Sequence, residues 1–381
     1  MPFSLFRKAG DPYQRVGTMM MYVPRDGSQP VRPGQDYFLV QIKSAQAAFD
    51  GAIWDSVRNL VVTSSVNLNS AILGNQEMRA LQRTLSVDKN QATQLGLSRD
   101  LIALVPATMP RTTASVDFVI DRENRLAGLG SIINSDSFLT VVSLAPGVAP
   151  VARILSKLSS DIIRAYIPAE EQSPILQFTA DFNIDGTANG LQDGYYVILG
   201  TADADNPLPD TINSVEVLDT GLRIDGQPVT QLSYIILSVV RVPTRPASLS
   251  DGAPWAAKLR EAEDTAQLTN LDPFADDAAR KEAWDKCKKL IQEASVLVAA
   301  DPNYLPQDGQ TIWRASYQKC VDLLSAAPSG TRDLAPPTVD TAEDRRAMGI
   351  PVDADMRAVL AHHAEKVMAA ERALEDAGLA P

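Results

Sequence analysis

"DFNIDGTANGLQDG", residues 181 to 194, decides how this chain is read. Asp181, Asn183 and Asp185 alternate and Gly186 follows. That is how a calcium loop opens: oxygen ligands at positions 1, 3 and 5, then a glycine where the backbone must turn. Helices on both sides would make it an EF-hand, and strands would make it a connection within a sheet. The flanks are "PILQFTADF" (174–182) and "GYYVILGT" (194–201), rich in aromatic and β-branched residues and bounded by turn formers. Position 12 holds Gln192, a neutral single-oxygen ligand, where the helical motif needs a bidentate glutamate. The stretch therefore reads as a strand-to-strand loop that closes at the turn Asp193-Gly194. Two chemistries fit it. In one, its side chains bond their own backbone as Asx turns. In the other, Asp181, Asn183 and Asp185 hold calcium in a site between strands, helped by Asp193, Asp203, Asp205 or Asp210. No other cofactor is expected.

Outward from this loop, further strands are expected at "VGTMMMYV" (16–23), "DYFLVQIK" (36–43), "VVTSSVNL" (61–68), "ASVDFVID" (114–121) and "QLSYIILSVVRV" (231–242). Asp225-Gly226 within "LRIDGQPV" marks a hairpin. "SAQAAFDGAIWDSVRNL" (44–60) reads as a helix, because Phe49, Ile53, Trp54, Val57 and Leu60 recur at helical spacing. A short helix is expected near residues 125–134. An amphipathic helix is expected over residues 151–167, with Ile154, Leu155, Leu158, Ile162 and Ile163 on one face. Clustered strands without a steady strand–helix alternation predict an α+β fold with a largely antiparallel sheet and packed helices.

Near "VPTRPASLSDGAPW" (242–255) the chain changes character, with three prolines and small polar residues. The expected domains are residues 1–245, α+β, and residues 246–381, an acidic all-α module. Residues 1–245 carry a net charge of −4 and residues 246–381 a net of −8. In the second part Trp284, Cys287, Ile291, Ala294 and Val298 form one helical stripe. Met356, Val359, Leu360, His363, Val367, Ala370 and Leu374 form another. "WDKCKKL" (284–290) echoes "YQKCVDL" (317–323) at an offset of 33, a spacing found in helical repeats. Pro336, Pro337 and Pro351 predict loop between them.

The composition removes several function classes. A net charge of −12 offers no broad basic field for nucleic acid. Residues 137–152 are uncharged but too short to span a bilayer, and they contain Pro146, Gly147 and Pro150. With the basic face of the helix that follows, Arg153, Lys157 and Arg164, they suggest at most peripheral membrane contact. Two cysteines make no disulfide framework, and a soluble, cytoplasmic chain without a transmembrane helix is expected. Phosphate-loop, dinucleotide and nucleophile-elbow motifs are missing. His362 and His363 are adjacent on one helix and point about 100° apart, which does not suit a shared metal. Cys320 with His363 is a candidate nucleophile–base pair, and the plentiful acidic residues leave carboxylate catalysis open without singling out a pair.

What remains is a non-enzymatic interaction protein, a scaffold or adaptor of a multi-protein assembly. Its acidic helical module would bind a protein partner. The module holds Trp255, Trp284 and Trp313, three of the four tryptophans, which suit either a core or an interface. A calcium- or lipid-responsive membrane-associated module and an unrecognised hydrolase are the alternatives.

Overall fold

The computed structural model describes residues 17–48, 59–70, 74–86, 93–95, 99–108, 110–121, 176–187, 189–201, 208–219, 221–246, 253–272, 274–326, 339–351 and 355–376. The fold is α+β, with antiparallel sheets and helices, and the chain divides into two compact units, Met1–Arg241 and Val242–Pro381.

The first unit is built from strands. These are β1 (Gly17–Pro24), β2 (Tyr37–Ala47), β3 (Asn59–Ser70), β4 (Gly74–Ser86), β5 (Thr93–Gln94), β6 (Arg99–Pro106), β7 (Arg111–Asp121), β8 (Leu176–Asn183), β9 (Gly194–Thr201), β10 (Val215–Leu218), β11 (Gly221–Ile224), β12 (Gln227–Pro228) and β13 (Ser233–Val242). A six-stranded sheet runs β1-β9-β13-β2, with β5 and β6 both paired to β2. A four-stranded sheet runs β4-β3-β7-β8, and a small three-stranded sheet runs β10-β11-β12.

Burial explains which strands alternate and which do not. In β8, Leu176, Phe178, Ala180 and Phe182 point inward, while Gln177, Thr179, Asp181 and Asn183 face out. A sheet with one solvated face dictates that period of two. Its inner face packs on the six-stranded sheet: Val116, Phe178 and Phe182 share a core with Ile198, Ile235 and Leu237. The Phe182 and Tyr196 rings meet edge-on, 5.0 Å apart. The other face of the six-stranded sheet is covered too, by Val215 and Leu222 of the small sheet against Val197, Leu199, Tyr234 and Ile236. β13 is therefore buried on both sides almost throughout, and its sequence "SYIILSVVRV" is apolar at seven of ten positions with no alternation. Each large apolar side chain so buried contributes about 1.5–3 kcal/mol.

The helix expected at residues 44–60 is not formed at either end. Ser44–Ala47 continue β2, Leu60 is a buried residue of β3, and residues 49–58 lie outside the described part. Alanine and glutamine favour helix in isolation. Here β2 has strands on both sides, and its ladder bonds outweigh that preference. Gln46, almost fully buried, donates to the carbonyls of Val229 and Leu232 and accepts from Gln94. The helices expected at 125–134 and 151–167, and the uncharged stretch 137–152, also lie outside the described residues. Among the described residues the first unit has no helix.

The second unit holds α1 (Pro254–Leu271), α2 (Asp277–Ala299), α3 (Pro306–Ser325), α4 (Ala342–Ala347) and α5 (Met356–Asp376). Their starts are written locally. Pro254 and Pro306 open α1 and α3, where a missing N–H costs nothing. The Asp276 carboxylate caps α2 through Ala279 N at 2.8 Å, and Thr341 and Asp344 form a capping box on α4. α4 interrupts the stretch expected to be loop. The buried Arg280 donates to the carbonyls of Leu324 and Ala326 at 2.7 and 3.1 Å, satisfying the open end of α3. Trp255, Trp284 and Trp313 are all buried, so they fill this core. Among the described residues, no helix is long and apolar enough to cross a membrane.

Candidate functional site

The loop after β8 is tied down by its own bonds. Asp181 accepts from Thr113 Oγ1 at 2.6 Å and pairs with Arg111 at 3.4 Å, both on the neighbouring β7. Asn183 ends β8, and its carbonyl accepts from Leu191 N at 2.7 Å. Asp185 Oδ1 accepts from Thr187 N at 2.9 Å and Thr187 Oγ1 at 2.8 Å, an Asx turn, and these bonds hold its carboxyl below the usual range. Gly186 takes a φ of +72°, and a Cβ there would lie 3.1 Å from the Pro33 ring. A Cβ on Gly190 would sit 2.2 Å from Asp185 Oδ1, so glycine is needed at both places. Asp193 pairs with Arg25 at 3.1 Å. Asp203 and Asp205 lie outside the described residues.

Asp181 and Asp185 thus point to separate partners, and a cation would have to displace both sets of bonds. Among the described residues no three His, Cys, Asp or Glu side chains are grouped to hold a metal. Calorimetry on the full chain is expected to show no binding heat with calcium up to about 1 mM, the weak end of protein calcium sites. Heat that disappears in an Asp181→Ala, Asp185→Ala double variant would support the metal reading.

The helical unit offers a different kind of site. α1, α3 and α5 enclose an open groove of about 570 Å³. Its walls are Leu259 from α1, Ile312 from α3, and Leu360, Val367 and Met368 from α5, with the buried Trp255 also lining it. Trp255 is fixed by a 2.9 Å bond from Nε1 to Asp301 and by edge-on contact with Tyr304. The stripe on α5 is only partly used. Met356, Ala370 and Leu374 are buried, Leu360, His363 and Val367 are half-buried, and Val359 and Met368 are 42% and 51% exposed. Polar groups are few. Glu263 accepts from Ser316 Oγ at 2.6 Å and Lys319 Nζ at 2.5 Å, which neutralises it in place. Burial pushes the His363 imidazole below its ordinary pKa, against the pull of Asp308, so it faces the groove uncharged at neutral pH. Its neighbour His362 is exposed beside Glu365.

The residues considered for nucleophilic chemistry are arranged otherwise. Cys320 is fully buried, and its interaction with the neighbouring Cys287 together with that burial pushes its thiol pKa up, opposite to what a nucleophile requires. Leu259 and Ile312, which complete the groove, carry no mark in the sequence; they become neighbours of α5 only through packing. No protein family, curated protein or solved structure matches this chain.

Proposed function

We propose that this chain is a non-enzymatic interaction protein, a scaffold or adaptor, whose sandwich is a rigid platform and whose helical part docks a protein partner. The observation that carries this reading is the apolar groove between α1, α3 and α5, open and lined by side chains of three helices. Grooves of this kind accept the apolar face of a helix or an extended apolar segment, while the few polar groups set orientation. Residues 246–381 hold two thirds of the chain's excess negative charge, which favours encounter with a basic partner. A charge in the groove wall is the direct test. Val367→Glu should abolish capture of the partner by the full chain while the fold is kept.

A further inference from the structure

We propose that the groove between α1, α3 and α5 takes residues 1–8 of a second copy of this chain, joining copies head to tail. The inference rests on the docking function proposed above and names its partner. The walls are Leu259, Ile312, Leu360, Val367 and Met368, and an open groove of about 570 Å³ admits a few large apolar side chains rather than a domain. The occupant should also be basic, because residues 246–381 carry a net charge of −8.

"MPFSLFRK" (1–8) has that composition. Phe3, Leu5 and Phe6 set three large apolar side chains within four residues, and Arg7 and Lys8 follow them, with no acidic residue before Asp11. Apolar anchors beside two cations match an apolar recess in an acidic unit. The segment precedes β1, which among the described residues pairs with β9 on one side and forms an edge of the six-stranded sheet. Ten residues separate Phe6 from Gly17, enough to span roughly 35 Å when extended. The chain also exposes an apolar tip between α1 and α2, where Leu268, Leu271 and Phe274 are 70%, 66% and 91% exposed. Asp272, Asp276 and Asp277 flank that tip, so it would bring three negative charges to an acidic unit. Charge therefore selects residues 1–8. The contact uses different patches on the two copies, so it builds rings or open chains, as a scaffold needs.

The experiment is sedimentation velocity on full chains over a rising concentration series. The natural chain is expected to sediment faster as concentration rises. A Phe3→Ser, Phe6→Ser double variant and Val367→Glu should each stay monomeric alone. Mixed in equal amounts, these two should form a dimer and nothing larger, because one supplies an intact groove and the other an intact segment. That recovery also shows that both variants are folded. Phe274→Ser should associate like the natural chain. A fluorescent peptide of residues 1–10 should bind the double variant and bind Val367→Glu at least about 30-fold more weakly. A natural chain that stays monomeric, a mixture that forms no dimer, or association lost in Phe274→Ser would each overturn the proposal. A monomeric chain that still captures another protein through Val367 would remove the self-contact and leave the docking function standing.

Discussion

Asp36→Ala is expected to cost the first unit about 3–5 kcal/mol, the cost of breaking a buried ion pair from one side. The Asp36 carboxylate is fully buried. It accepts from the backbone N, Nε and Nη2 of Arg32 at 2.8–3.0 Å, and from Nε and Nη2 of Arg241 at 2.8 and 2.9 Å. Arg241 is itself only 16% exposed, so the variant strands a guanidinium where water reaches it poorly; Arg32 is half exposed and contributes less. The clamp also fixes strand pairing. Asp36 with Arg241 closes one end of the β2–β13 pair, and Ala48 with Ser233 closes the other.

Burial alone would raise the Asp36 pKa, but the arginine bonds outweigh it and hold the carboxyl below its usual range. A depressed folded-state pKa gives a fixed sign. Its contribution is complete above the unfolded value of about 3.9 and is lost as pH falls through the lower folded value. Urea unfolding at pH 7 should show the drop, and the variant should lose the steepest part of the acid dependence below about pH 4. An unchanged urea midpoint would mean that the clamp is not a stabilising element.

Trp284→Ala should cost the helical unit a similar amount, about 3–5 kcal/mol. Trp284 is 2% exposed at the α2–α3 crossing, edge-on to Tyr317, and its Nε1 donates to Asp344 at 3.2 Å. Asp344 also accepts from Lys288 and Thr341, which ties the α4 segment across α2. Truncation therefore leaves a cavity and slackens that tie together. Trp284→Phe separates the two contributions. It keeps the ring contact and removes the donor, and should cost only about 1 kcal/mol. Far-ultraviolet dichroism during urea unfolding reads both variants. Equal stability of Trp284→Ala and the natural chain would contradict the packing described here.

Where one face of a strand is wet, as in β8, or both are dry, as in β13, the pattern was legible in the residues, and so was the Asp225-Gly226 turn. The continuation of β2 through "SAQA" was not, because Ala and Gln give no β signal and the strand is imposed by its neighbours. β4, with "EMRALQR" at its centre, has helix-forming composition, yet it pairs with β3 along its length. The groove was the least visible feature. The α5 stripe from Met356 to Leu374 looks like any core stripe in sequence. Only the packing shows that Leu360, His363 and Val367 line a gap. The echo around Cys287 and Cys320 was legible as repetition, but not as two segments that meet.

The most direct test of the proposed docking function compares partner capture by the natural full chain, by Val367→Glu and by Val296→Glu. Val367 lines the groove, whereas Val296 is 67% exposed on α2 and does not line it. A carboxylate forced into an apolar contact should weaken binding at least about 30-fold, a loss of roughly 2 kcal/mol. The prediction is a discrete protein held by the natural chain and by Val296→Glu but released by Val367→Glu, with helical content unchanged. Equal capture by all three chains, or capture by none, would contradict it.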